Sequence, residues 1–302
     1  MNRAIQARAV QEADQRAFAK AAKRGALGER VGKVVLWFAL LVGAVMFLLP
    51  FYIMLAMSLK TADQISTTSP WSWPKEATWE NYRQLFSDPI VNFGLLLQNT
   101  VFLSLVGTIG VTLTAALVAF PFARLCFRGR DRLFLLVLST MMLPGVVTMI
   151  PTYVIFAKLH WVDTFLPLTV PAFFGGGAFN IFLLRQFFMS IPQEMDEAAR
   201  IDGATNSTIF WRVVLPNAGP AIATIAVFTF IGTWRDFMGP LLYLNDSAKQ
   251  TLELGLRTFQ TLNQPKWELL MAASVVVMLL LVIIVLVAQR YFVKGIVLTG
   301  GK

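Results

Sequence analysis

A chain of 302 residues that is 56% hydrophobic and only 14% charged is too apolar and too poor in charge for a water-soluble globular domain. Its net charge of +9 is concentrated at the ends of apolar segments, so it reads as a membrane-topology signal and calls for no nucleic-acid partner.

In chain order, residues 1–33 form a charged, Ala-rich tail with no apolar core. It does not resemble a cleaved signal peptide and is expected to lie in solvent or along the membrane surface on the cytoplasmic side. Residues 34–302 are expected to form one transmembrane domain. Six apolar windows are long enough for the roughly 20 residues that a 30 Å hydrocarbon layer requires: 34–58, 95–122, 133–157, 164–189, 217–243 and 269–292. The fold class is therefore all-α, a polytopic membrane helix bundle. Pro144, Pro151, Pro167, Pro171 and Gly175 to Gly177 interrupt these windows, which membrane helices tolerate when neighbours re-satisfy the freed backbone groups.

Basic residues set the orientation. The tail carries Arg3, Arg8, Arg16, Lys20, Lys23, Arg24, Arg30 and Lys33, and the loop after the second span carries Arg124, Arg128, Arg130 and Arg132. Both face the cytoplasm by the positive-inside rule. Six spans then put the loop around Glu197 and the C-terminus on that side, with Arg185, Arg200, Arg212, Arg290, Lys294 and Lys302. The connections 59–94, 158–163 and 244–268 face outward. Cys126 is a single thiol, unable to form an internal disulfide, and its expected role is packing.

Between the fourth and fifth spans, residues 190–216 form a polar, helix-forming insert. Ser190 and Gln193 have capping-box spacing, with Pro192 inside the first turn, so a helix is expected to start there. Glu194, Asp196 and Glu197 favour the positive end of its dipole, Ala198 and Ala199 favour helix, and Gly203 can take the left-handed conformation that ends it. A second helical piece is expected from about Asn206, leading into Leu215 and Pro216. The result is a stiff lever rather than a passive link.

Glu197, Ala198, Ala199, then Asp202, Gly203, then Leu215 and Pro216 resemble the coupling loop of permease subunits of binding-protein-dependent ABC importers, most closely the maltose/lactose-type sugar permeases. Further positions similar to that family are Ala123 to Gly129, Pro151 to Tyr153, Asp163-Thr164, Trp234 to Phe237 and Tyr291 to Gly295. The likeness runs from about residue 35 to the end. Within Trp234 to Phe237 the family commonly has Asn where this chain has Arg235. The resemblance implies a cytoplasmic coupling helix that docks into an ATPase subunit, and a bacterial-type inner-membrane location. It also implies a second homologous permease, two ATPase subunits that bind ATP and Mg, and an extracytoplasmic solute-binding protein.

The chain's own residues point to a conduit rather than an enzyme. It contains no GxxxxGK phosphate cradle, so energy is expected from a separate subunit and no cofactor from this chain. His160 is its one histidine and reads as a surface or interface residue, not a metal ligand or base. The span interiors offer neutral polar groups, Asn99, Ser104, Thr108, Asn180, Thr224 and Thr229, beside aromatics such as Tyr153 and Phe179. Each could serve helix packing instead. As a group they suit a sugar or sugar-like polyol better than an ion. Asn99, Tyr153, Asn180 and Thr229 are the candidate pathway residues, Asn180 first among them.

Arg235 and Asp236 lie roughly 30 Å from Pro216 at 1.5 Å per residue, near the opposite surface, where an interfacial pair or a binding-protein contact is expected. Leu256, Phe259 and Gln260 sit in an outer connection unusually apolar for its position. Packing on the bundle and contact with the binding protein are both open for it. Two rival functions remain: a glycerol-phosphate ABC permease, and an ion-coupled secondary transporter, which would carry buried acidic residues and often internal repeats. A purely structural scaffold leaves the coupling motif unexplained.

Overall fold

The computed structural model describes residues 32–88, 91–261 and 265–299. Most of the 1–33 tail and Lys302 lie outside them, as do the side chains of Gln260 and of the last helix from residue 290. Among the described residues every regular element is helical. Helix α1 spans Gly32–Ser58, and α2 (Ala62–Thr67) and α3 (Glu80–Ser87) cover the connection to α4, Phe93–Arg124. Then come α5 (Arg130–Ser139), α6 (Gly145–Lys158), α7 (Leu166–Thr169), α8 (Ala178–Ser190), α9 (Glu194–Ile201) and α10 (Asn206–Ile209). The chain closes with α11 (Leu215–Asn217), α12 (Gly219–Trp234), α13 (Met238–Tyr243), α14 (Leu252–Thr261) and α15 (Trp267–Thr299).

Four stretches are long and apolar enough to cross a bilayer: Gly32–Ser58, Phe93–Arg124, Leu166–Ser190 and Trp267–Val287. Two bent pairs raise this to six if each counts as one span, namely Arg130–Met142 with Gly145–Lys158, bent by 96°, and Asn206–Asn217 with Gly219–Trp234, bent by 77°. Pro144 sits at the first bend, where it has no N–H to continue the helix. α1 is apolar on every side and its side chains are almost all exposed. Such a surface is stable only in lipid or against apolar partners.

α4 is the axis of the bundle, with α8 and α12 packed along it. Ala115, Ala116 and Ala119 present little side chain, so neighbouring backbones come close. At Gly176, φ is +64° and a Cβ would overlap the backbone of Ala115. Glycine thus makes both the turn and the contact where the fourth span breaks. Ahead of that break Pro167 and Pro171 give α7 and a 3-10 turn, Val170–Phe173, instead of a continuous helix.

Two cores form at opposite ends of α4. One gathers Ala115 to Ala123 with Phe134, Leu184, Phe188, Phe210 and Val214, at the end that carries α9. The other gathers Leu85, Phe93, Leu96, Trp234, Phe259 and Leu269, at the end that carries α14.

Three expectations are corrected. The window 217–243 is not one helix: α12 ends at Trp234, and Asp236 then accepts from the Gly239 N–H at 3.1 Å to start the short α13, which Pro240 cannot join to α12 by a backbone bond. Ser190 does not cap the following helix. It is the last residue of α8, its hydroxyl donating to the Phe187 carbonyl at 2.7 Å, and Gln193 offers α9 no side-chain cap. Cys126 is exposed in the turn after α4 rather than packed.

Candidate functional site

At one end of the bundle, Glu194, Asp196 and Glu197 occupy the first turn of α9, where the helix dipole favours negative charge. The helix closes in a Schellman motif: the Gly203 N–H donates to the Arg200 carbonyl at 3.0 Å and the Ala204 N–H to Ala199 at 2.9 Å. Gly203 has φ +82°, the conformation that motif requires. Thr205 then accepts from the Thr208 N–H at 3.3 Å and starts α10. A π-helical turn, Phe210–Val214, buries Phe210 and Val214 in the adjacent core before the chain bends into α12.

On this insert Glu197, Ala198, Asp202, Gly203 and Pro216 are exposed, while Ala199 and Leu215 pack partly against the core. Ile201, at the tip, is 87% exposed, a large apolar side chain left uncovered.

Asp196, which the motif does not include, turns the other way. Its carboxylate lies 3.5 Å from Nε of Arg124 in the last turn of α4, with the two side chains 9% and 2% exposed. Arg124 Nη2 also donates to the Ile191 carbonyl at 2.8 Å, so one guanidinium holds both α9 and the turn before it. Arg185 makes a second joint, donating to the Phe122 carbonyl at 3.1 Å with its guanidinium 4.2 Å from the Phe134 ring centre. In the sequence Arg185 reads only as a topology charge, and Arg124 as a topology charge within the family-like stretch Ala123 to Gly129. The available signal is helical spacing: Asp196 is three residues before the core-packed Ala199 and shares its face, and a carboxylate there needs a cation.

The four candidate pathway residues do not form one site. Asn99 is buried and its amide donates to the Ala248 and Gln250 carbonyls, both at 2.9 Å, tying α4 to the connection before α14. Asn180 donates to the Gly176 carbonyl at 2.9 Å, beside Ala115, about 24 Å further along α4 at 1.5 Å per residue. Tyr153 stacks on Tyr243 with ring centres 6.0 Å apart, and Thr229 is half-buried on α12. Between these levels lies a cavity of about 320 Å³ lined among others by Thr100, Leu168, Pro171, Thr233, Asp236 and Thr251.

Asp236 is half-buried and lines this cavity, and among the described residues no ion pair joins it to Arg235. Phe259 is corrected: it is 1% exposed, on the core-facing side of α14, and is not free to face a binding protein, while Leu256 is half-buried and packs partly on that core. The connection leading to α14 is pinned by Asp163, which accepts from the Asn245 and Asp246 N–H groups at 3.1 and 2.9 Å and from Lys249 Nζ at 3.0 Å. The backbone bond from Asp246 and then the Lys249 ammonium hold the Asp163 carboxyl below the usual carboxylate range, and the Asp163 hydrogen bond raises Lys249. His160 is exposed, and among the described residues no group of His, Cys, Asp and Glu is arranged to hold a metal.

Residues 112–297 match the family described as binding-protein-dependent transport system inner membrane component. The sn-glycerol-3-phosphate transport system permease protein UgpE of Yersinia pestis bv. Antiqua is 33% identical over 264 residues, covering 85% of this chain and 93% of that protein. The arabinooligosaccharides transport system permease protein AraQ of Halalkalibacterium halodurans is 32% identical over 229 residues, covering 76% and 81%. Among solved structures, a chain of a bacterial ABC transporter involved in the import of the acidic polysaccharide alginate superposes with a TM-score of 0.79 at 25% identity, covering 88% of this chain and 98% of that one.

Proposed function

Because the chain belongs to the family of binding-protein-dependent transport system inner membrane components, the permease subunits of ABC importers, we propose that it forms half of a translocation pathway for a sugar or sugar-like polyol. Its partners are a second, homologous permease, two ATPase subunits that bind ATP and Mg, and an extracytoplasmic solute-binding protein. Both termini and the insert 190–216 face the cytoplasm, as the basic residues Arg124, Arg128, Arg130 and Arg132 at that end of the bundle favour.

The observation that carries this reading is the insert. A helix closed by a Schellman turn at Gly203, exposing Glu197, Ala198 and Ile201 and fixed to α4 through Asp196, is a rigid projection. It moves as a body when the ATPase it docks into closes. ATP binding and loaded binding protein then stabilise the outward-open state together, and hydrolysis returns the cavity inward. Glu197, Ala198, Ala199, Asp202, Gly203, Leu215 and Pro216 form or frame the docking surface.

The test uses the complete importer in proteoliposomes with its binding protein. Gly203→Pro and Glu197→Arg are expected to insert and assemble, to keep hydrolysing ATP, and to lose solute uptake about tenfold or more, as loss of 1–3 kcal/mol of coupling would produce. Unchanged uptake in both variants would sink the proposal. Import of a polyol phosphate is the second reading, favoured by the likeness to the Yersinia permease. An anion in the Asp236 cavity would meet a carboxylate.

A further inference from the structure

An ionisable side chain inside a membrane bundle is costly and normally has a defined counterpart. For Asp236 that counterpart is half missing. Its Oδ1 accepts from the Gly239 N–H at 3.1 Å, but among the described residues nothing donates to Oδ2, and no basic side chain lines the cavity it faces. In the same lining Thr251 is 4% exposed and, among the described residues, its Oγ1 has no hydrogen-bond partner, although buried hydroxyls normally have one. Thr233 lines the same space. Thr100, by contrast, is satisfied: its hydroxyl donates to the Leu96 carbonyl and accepts from the Leu252 N–H.

The free groups are thus one carboxylate oxygen and two hydroxyls, facing the apolar surfaces of Leu168 and Pro171. This combination asks for a ligand that donates hydrogen bonds from a compact body with carbon–hydrogen faces. At about 320 Å³ the cavity lies at the small end of ligand pockets, enough for one unit rather than a chain.

Resting on the function proposed above, we propose that the Asp236–Thr233–Thr251 cavity is a subsite for a single neutral, hydroxyl-rich unit, Oδ2 of Asp236 accepting from its hydroxyls. The same carboxylate rejects phosphorylated or carboxylated solutes, because an anion would be brought beside a negative charge in a cavity that no basic side chain lines. Specificity for uncharged solute is then written into this permease and not only into the binding protein.

The complete importer, carrying Cys126→Ser and Thr233→Cys, is reconstituted and the introduced thiol is labelled with a cationic (trimethylammonium) or an anionic (sulfonate) methanethiosulfonate reagent. The cationic reagent is expected to react about tenfold faster or more, from the local field of Asp236, and Asp236→Asn to bring the ratio close to one. Glucose, sorbitol and maltose are compared with gluconate and glycerol 3-phosphate as protectants. At least one neutral compound is expected to slow labelling, no anion to do so, and the protection to vanish in Asp236→Asn. Equal reagent rates, no labelling at all, or protection by an anion overturns the subsite.

Uptake of the same five compounds into proteoliposomes with the binding protein separates the two levels. A neutral sugar carried equally well by the wild type and Asp236→Asn, and never protecting the introduced thiol, overturns the subsite and leaves the importer of sugars standing. Uptake of an anion alone overturns both.

Discussion

The two ends of α4 hold their polar connections by different means. At the α9 end, the 27-residue insert 190–216 is fixed by charge: Asp196 on Arg124, with Arg124 also gripping the Ile191 carbonyl. At the α14 end, neutral hydrogen bonds and apolar burial hold the buried part of the connection, and the Asp163–Lys249 ion pair at its start is more than a third exposed. Asn99 takes two of its carbonyls, Thr100 accepts the Leu252 N–H, and Leu252 and Phe259 sink into the core. The α14 end is thereby part of the bundle's own interior. The α9 end leaves most of its insert in solvent and joins it to the bundle at a few points, which suits a part that must receive force from another subunit.

If that contrast is right, the largest single effect lies in the ion pair. Arg124→Ala leaves the Asp196 carboxylate buried without its cation and should cost about 3–5 kcal/mol, whereas replacing both partners with apolar residues of similar volume, Arg124→Met with Asp196→Leu, should recover most of that loss. Thermal unfolding of the solubilised importer reads the stability, and the ratio of ATP hydrolysed to solute carried reads the joint. The double variant is expected to be stable yet poorly coupled, because an apolar contact replaces neither the charge attraction of Arg124 for Asp196 nor the hydrogen bond from Arg124 to the Ile191 carbonyl. A double variant that transports normally would show that the charges add nothing to coupling.

At the other end the expected effect is smaller. Asn99→Leu removes two donors and leaves the Ala248 and Gln250 carbonyls short of partners, at a cost of about 1–3 kcal/mol. The loss should appear as faster hydrogen exchange in the 245–252 backbone, with the half-saturating solute concentration for uptake unchanged. A large change in that concentration with the loop still protected would return Asn99 to the solute pathway.

Much of this fold was legible because hydropathy and chain-breaking residues are local signals. The windows 34–58 and 95–122 fall within a helix each, and the Pro167, Pro171 and Gly175 to Gly177 breaks lie where the fourth span comes apart. Gly203 was readable for the same reason, since a left-handed turn after a helix calls for glycine. What escaped depended on tertiary context. Ser190 has the spacing of a cap, but the residues before it continue α8 to that point, and an ongoing helix outcompetes a new start. Asp236 reads in the sequence as a charge near the outer end of the 217–243 window, and its turn toward Gly239 becomes visible only with the cavity beside it. Arg124 was legible as a positive charge at a span's end. That it also reaches Asp196, 72 positions later, is a fact of packing.

The smallest expected effect sharpens the contrast at a single carboxylate. Asp163 is half-buried and adopts a left-handed φ of +62°, and it collects two backbone donors and Lys249. Its pKa is lowered in the folded state, so its contribution is fully present above the unfolded value of about 3.9 and is lost as pH falls through the folded value. Lys249 is raised, so its share is complete below the unfolded value of about 10.4 and is lost as pH rises through the folded one. Between those limits the clamp should be independent of pH. Protection of the Asn245 and Asp246 amides is therefore expected to stay flat across neutral pH and to fall in acid, and Asp163→Asn should abolish the acid step because its amide does not titrate. An acid step of equal size in the variant would place the sensitivity elsewhere in this connection, with Asp246 the first residue to examine since it too lies within 3.5 Å of Lys249.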